Sequence, residues 1–172
     1  IAGNKMAEDS TTSFSFIIED HQTGQKIIEF PNTWSAPITY AFSLDSTRIA
    51  VATDNIVSVY SLPEGMKKWK ANHPEIQIRK VRFSPDQSRI VTSGINSICV
   101  WNAANGARVF CLGNDKDLYF DFWFSGDGKE LIVRRENTMD TLDLENGKKT
   151  NQFQLGSEYF SADKIVSNAD AS

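Results

Sequence analysis

Apolar and polar residues alternate along this chain in short runs, and turn residues break the runs at regular intervals. Phe14, Phe16 and Ile18 sit two apart, so their side chains share one face of an extended strand. His21-Gln22-Thr23-Gly24 ends that run, and residues 26–30 return it. The middle of the chain, residues 81–106, shows the pattern most clearly. Val81 and Phe83 share a face. Ser84-Pro85-Asp86 then turns the chain, since Pro presets φ and Asp bonds its own backbone. Residues 89–92 are β-branched and apolar, Gly94-Ile95-Asn96 makes a second turn, and residues 98–101 form a third strand before Asn105-Gly106. No stretch carries a helical period long enough to build on. The pattern predicts short strands throughout.

The pattern also repeats. Phe42, Phe83 and Phe124 follow one another at intervals of 41 residues. So do Asp45, Asp86 and Asp127, and so do Asn55, Asn96 and Asn137. Gly24, Gly65, Gly106 and Gly147 carry the register into a fourth, partial copy. A period of this length marks stacked supersecondary units. Four antiparallel strands per period, with turns at fixed offsets, predict an all-β fold of β-propeller blades. A sandwich is the rival all-β fold, but it has no reason to repeat its turn residues at one spacing.

The register divides the chain into a polar N-terminal segment (1–13), a partial blade (14–36), three blades (37–72, 73–114 and 115–156) and the start of a further blade or tail (157–172). Residues 1–12 are small and polar and read as loosely attached. A blade is a twisted sheet that packs face to face on its neighbours. Phe42, Phe83 and Phe124 on first strands, with Val57, Ile98 and Met139 on third strands, are the expected filling of those layers. A seven-bladed ring at this period needs about 287 residues, and the chain has 172. It therefore reads as an open arc of about four units. An arc leaves two apolar faces uncovered, to be met by remaining blades of the same propeller or by self-association. A closed four-bladed ring is the alternative.

Charge and chemistry narrow the function. Hydrophobic residues make up 40% of the chain and aromatic residues 11%, enough for a core. The net charge of −4 disfavours nucleic acid and anionic membrane as partners. No apolar run is long enough to span a bilayer. Cys99 and Cys111 flank the 102–106 turn and read as two reduced, buried thiols, which fits a cytoplasmic chain, with the nucleus as the alternative. Only two histidines are present, His21 and His73. No nucleophile elbow, Walker or dinucleotide-binding motif occurs. Asp45, Asp86 and Asp127 have a sufficient role in their turns. No catalytic residue, metal site or cofactor is expected.

Phe83-Ser84-Pro85-Asp86, Val100-Trp101 and Asn105-Gly106 resemble the motifs of a WD-repeat (WD40) blade. The likeness covers residues 14–155 and is best in the central unit. Tyr60 and Leu142 stand in the place of Trp101 in the flanking units, and Asp143 follows Leu142 as Asp follows Trp in the family. Ser61 and Asn102 replace that Asp elsewhere. Asn72-His73 stands where the family has Gly-His, and the family's structural Asp survives only as Asp54. The resemblance implies a scaffold for protein–protein interaction in a multiprotein complex. The other classes are the non-catalytic propeller part of an enzyme, hydrolase or quinone-dependent dehydrogenase, and a nucleic-acid-bound scaffold.

One departure from the repeat suggests a partner-binding site. The second strand ends in Ala52-Thr53 and Ser93-Gly94 in two units but in Arg134-Arg135 in the third. The resemblance places this edge on the face where partners bind, and arginine anchors carboxylates, phosphates and aromatic faces. The bland alternative is two solvated charges beside Glu130 and Glu136. Trp34, in a loop before a first strand, is the second candidate.

Overall fold

A computed structural model describes residues 2–3, 15–30, 39–75, 77–113 and 119–155. Within them, β1 (Ala2–Gly3), β2 (Phe16–Glu19) and β3 (Lys26–Phe30) form a first sheet. The second holds β4 (Thr39–Phe42), β5 (Arg48–Thr53), β6 (Ile56–Ser61) and β7 (Lys67–Asn72). The third holds β8 (Lys80–Phe83), β9 (Arg89–Ser93), β10 (Ser97–Asn102) and β11 (Arg108–Gly113). The fourth holds β12 (Tyr119–Phe124), β13 (Glu130–Arg135), β14 (Thr138–Asp143) and β15 (Lys149–Gln154). Each sheet pairs consecutive strands antiparallel. They are blades 1 to 4.

The repeated aspartates build the first turn of each full blade. In blade 2 the Ser43 hydroxyl donates to Asp45 (2.6 Å) and accepts from the Arg48 amide (2.9 Å), while the Thr47 amide donates to Asp45 (3.1 Å). Ser84, Asp86, Ser88 and Arg89 repeat the arrangement, as do Ser125, Asp127, Lys129 and Glu130. Ser43 and Thr47 together hold the Asp45 carboxyl down at about 2. Besides a register shift between Tyr119 and Asp121 in blade 4, one follows Ile18, Val59, Val100 and Thr141, at the same repeat position in every blade. Such a bulge bends the strand and raises its twist. Blade 1 shares it, so blade 1 is a copy of the same unit.

The core lies between blades. Phe16, Ile18 and Ile28 meet Ile49, Val51 and Tyr60 between blades 1 and 2. Ala50, Val57, Val59 and Trp69 meet Val81, Ile90 and Trp101 between blades 2 and 3. Ile98 and Val100 meet Phe122, Leu131 and Val133 between blades 3 and 4. None of these clusters joins blade 4 to blade 1. The described blades form an open arc.

The repeated glycines mark where one blade touches the next. A Cβ on Gly106 would fall 2.5 Å from the Trp69 ring of blade 2. On Gly65 it would meet Ile27 and Ile28 of blade 1, and on Gly147 the Phe110 ring of blade 3. Gly24 has nothing within 4 Å, since no described blade precedes blade 1. All four are turn positions with positive φ, and at Gly65, Gly106 and Gly147 the preceding blade also comes closer than a Cβ would allow.

Several expectations change. Val57 and Ile98 are fully buried, and Phe83 and Phe124 pack half-buried against their layers. Phe42 instead stays 40% exposed. It faces blade 1 beside Tyr40, and the described part of blade 1 has no inner strand to cover it. Met139 is only half-buried, because no described sheet lies against its face. Ala2 and Gly3 are not loose: they pair with Ile18 and Ile17 as β1. The free edge of β2 accepts backbone whatever its side chains. Cys99 and Cys111 are not reduced thiols. They oppose each other across β10 and β11, with Cα atoms 4.1 Å apart, and form a disulfide. With it goes the cysteine argument for a reducing compartment. Trp34 and the start of a further copy at 157–172 lie outside the described residues.

Candidate interaction surfaces

Arg134 and Arg135 end β13, and strand geometry separates them. Successive side chains on a strand point to opposite faces. Arg135 lies on the blade 3 side. Its guanidinium stacks over the Tyr119 ring at 5.3 Å, donates to Asp140 Oδ2 at 3.4 Å and to the Tyr119 hydroxyl at 3.4 Å. Arg134 lies on the far face, half-buried, opposite Asp121 and Met139 in the strand register. The two side chains therefore leave the strand on opposite faces. The Thr150 hydroxyl donates to Glu130 (2.9 Å), and Asp140 is a partner of Arg135 that the sequence reading did not name.

Asp140 is the residue that sequence reasoning missed. Its side chain is 5% exposed, and Lys149 Nζ lies 2.9 Å from Oδ2 on the other side. The signal was present in the repeat, because Ser58 and Cys99 occupy the same position in blades 2 and 3. A small side chain therefore suffices for the blade.

A second surface lies between blades 1 and 2. A groove of about 540 Å³ is floored by Ile18, Ile27, Phe42, Leu62 and Pro63, with Glu19 and Asp20 on its rim. Leu44 and Met66, on the neighbouring turns of blade 2, are 82% and 55% exposed. Hydrogen bonds from the Thr23 amide and hydroxyl hold the Asp20 carboxyl below its usual range, so this rim charge stays ionised. Isolated apolar side chains on a surface are ordinary, whereas a contiguous patch around a groove marks an interaction site.

His21 lines the groove between blades 1 and 2, whereas His73 stands apart from both surfaces. His21 is exposed on the β2–β3 turn. His73 is 2% exposed, its Nδ1 accepts from the Glu75 amide (3.2 Å), and burial pushes its pKa down, so it is neutral near pH 7. Glu75 reaches across to the β9–β10 turn, accepting from the Ile95 and Asn96 amides and the Ser97 hydroxyl at 2.7, 2.8 and 2.5 Å. The described residues bring no three His, Cys, Asp or Glu side chains together as metal ligands.

Among solved structures, the chain resembles the β-propeller domain of Cps50 (Swd1) from Myceliophteria thermophila. The TM-score is 0.68 at 11% identity, over 84% of this chain and 49% of that domain. The fold is that of a β-propeller. The chain spans about half of the propeller domain that it matches, as an open arc of four blades does. No family model matches the chain, and no curated protein matches it in sequence.

Proposed function

We propose that this chain is part of a WD-repeat-like scaffold that holds other proteins in a multiprotein complex and has no catalytic role. The observation that carries this reading is the groove between blades 1 and 2, lined by Ile18, Ile27, Phe42, Leu62 and Pro63, with Leu44 and Met66 exposed on the turns of blade 2 that border it. An apolar floor with a carboxylate rim suits a partner segment that offers an apolar side chain flanked by basic residues. Support for WD-like blades comes from Trp101, whose Nε1 donates to Thr92 Oγ1 at 2.8 Å, and from the buried His73, which hydrogen-bonds the backbone of the same Thr92. The likeness to the Swd1 propeller domain supports the scaffold at the level of fold.

The test replaces Phe42 and Leu44 together by Ser. Both side chains are exposed, so the variant keeps its melting temperature within a few degrees. The partner recovered from the chain's own cells then binds it roughly 10–100-fold more weakly, as losing one or two buried apolar side chains implies. Unchanged affinity in a titration, or recovery of the native chain without partners, overturns the reading.

A further inference from the structure

We propose that the Cys99–Cys111 disulfide is a reversible redox site, which a thiol reductant opens in the folded chain and which sets how firmly the outer strand β11 is held. This site is independent of the groove between blades 1 and 2. The two cysteines face each other across β10 and β11, within the ladder that pairs residues 97–100 with residues 110–113. The blade does not call for a bond there. Blade 2 pairs Ser58 with Lys70 at the same place, and blade 4 pairs Asp140 with Gln152. Both keep four strands in the same order. Blade 3 can therefore open the bond and keep its sheet.

What the bond holds is an edge. β11 is the last strand of its sheet and pairs with β10 alone. Its counterpart in blade 2, β7, is anchored by the buried Trp69, whose Nε1 donates to the Ala103 carbonyl of blade 3. β11 carries Phe110 in that place, and Val109, Phe110 and Leu112 are only half-buried. An edge with few buried contacts opens locally with ease, and the disulfide is the link that prevents it. The two sulfurs differ in access, since Cys99 is fully buried and Cys111 is half-buried on the edge strand. A thiolate attacks Cys111 Sγ, the S–S bond breaks, and Cys99 leaves as a thiolate that takes a proton. A second thiol attacks the reductant's sulfur in the mixed disulfide, and Cys111 leaves in turn. Two thiols become one disulfide, and their two electrons and two protons end on the cysteines. The ladder keeps the freed thiols opposite each other, so a small disulfide closes the bond again by the reverse steps.

The test is reduction of the whole chain by glutathione at neutral pH, without denaturant. Both cysteine thiols become titratable on a timescale of about an hour, and the far-UV circular dichroism spectrum stays that of the oxidised chain. Oxidised glutathione then removes both thiols again. In the reduced chain the β11 amides that bond to β10 exchange with deuterium roughly tenfold faster or more, while the Trp69 amide in β7 keeps its rate. Cys99→Ser with Cys111→Ser shows the same faster exchange without any reductant, and the reduced wild-type chain decides alone if that variant does not fold. Thiols that appear only in denaturant, a reduced wild-type chain that loses its spectrum or does not close again, or equal exchange of β11 in the two redox states overturns the proposal.

Discussion

Trp69→Ala lowers the stability of the chain by about 3–5 kcal/mol, the usual cost of removing a large buried aromatic side chain. Trp69 is 9% exposed in the layer between blades 2 and 3. Its ring lies against Gly106, and its Nε1 donates to the Ala103 carbonyl at 3.0 Å. The substitution therefore opens a cavity and removes the shorter of two hydrogen bonds to the Ala103 carbonyl, leaving Arg48 Nη1 at 3.4 Å. Asn151 occupies the same repeat position in blade 4, where it is exposed. Asn151→Ala shifts stability by no more than about 0.5 kcal/mol, the range of surface substitutions. Urea denaturation followed by far-UV circular dichroism measures both. A Trp69→Ala cost below about 1 kcal/mol would mean that this layer is not where the blades are held together.

Gly106→Ala is the second large effect, and Gly24→Ala is its control. Both glycines have positive φ, +73° and +68°, a region that costs other residues about 1–2 kcal/mol. Only at Gly106 does the new methyl group meet a neighbour, the Trp69 ring at 2.5 Å. Overpacking of that kind adds about 1–3 kcal/mol. Gly106→Ala thus costs about 2–5 kcal/mol in all, and Gly24→Ala only the backbone share. Equal losses in the two variants would show that the repeated glycine serves its turn alone and is not a contact between blades.

The blades were legible because turns leave residues behind. Asp45, Asp86 and Asp127 recur since each accepts from the same serine and the same amide. The four bulges recur as faithfully, but they follow Ile, Val, Val and Thr, and backbone irregularity writes no residue code. The glycines were visible as turns, while their second role was hidden, because it depends on Ile28, Trp69 and Phe110 of the preceding blade. Phe42 shares its register with two half-buried residues and is still exposed, since its burial depends on a strand of another blade. Arg134 and Arg135 are adjacent in sequence and read there as a pair, although a strand must send them to opposite faces. Asp140 was readable as a departure from Ser58 and Cys99, and passed unnoticed because a lone acid in a strand suggests solvent, not a paired interior charge.

The open arc is tested most directly at Met139. Val57 and Ile98 hold the same repeat position and are 0% exposed, each covered by the next blade. Met139 is half-buried on the far face of blade 4. Cys99 and Cys111 are bonded, so Met139→Cys introduces a single free thiol. Its maleimide labelling is measured on the monomer at low concentration under native conditions. An arc lets the native chain react within about tenfold of a fully unfolded one. A closed ring would bury the position as in blades 2 and 3 and confine reaction to unfolded molecules, slowing it by roughly 10³-fold or more. That slow reaction in the monomer would contradict the open arc.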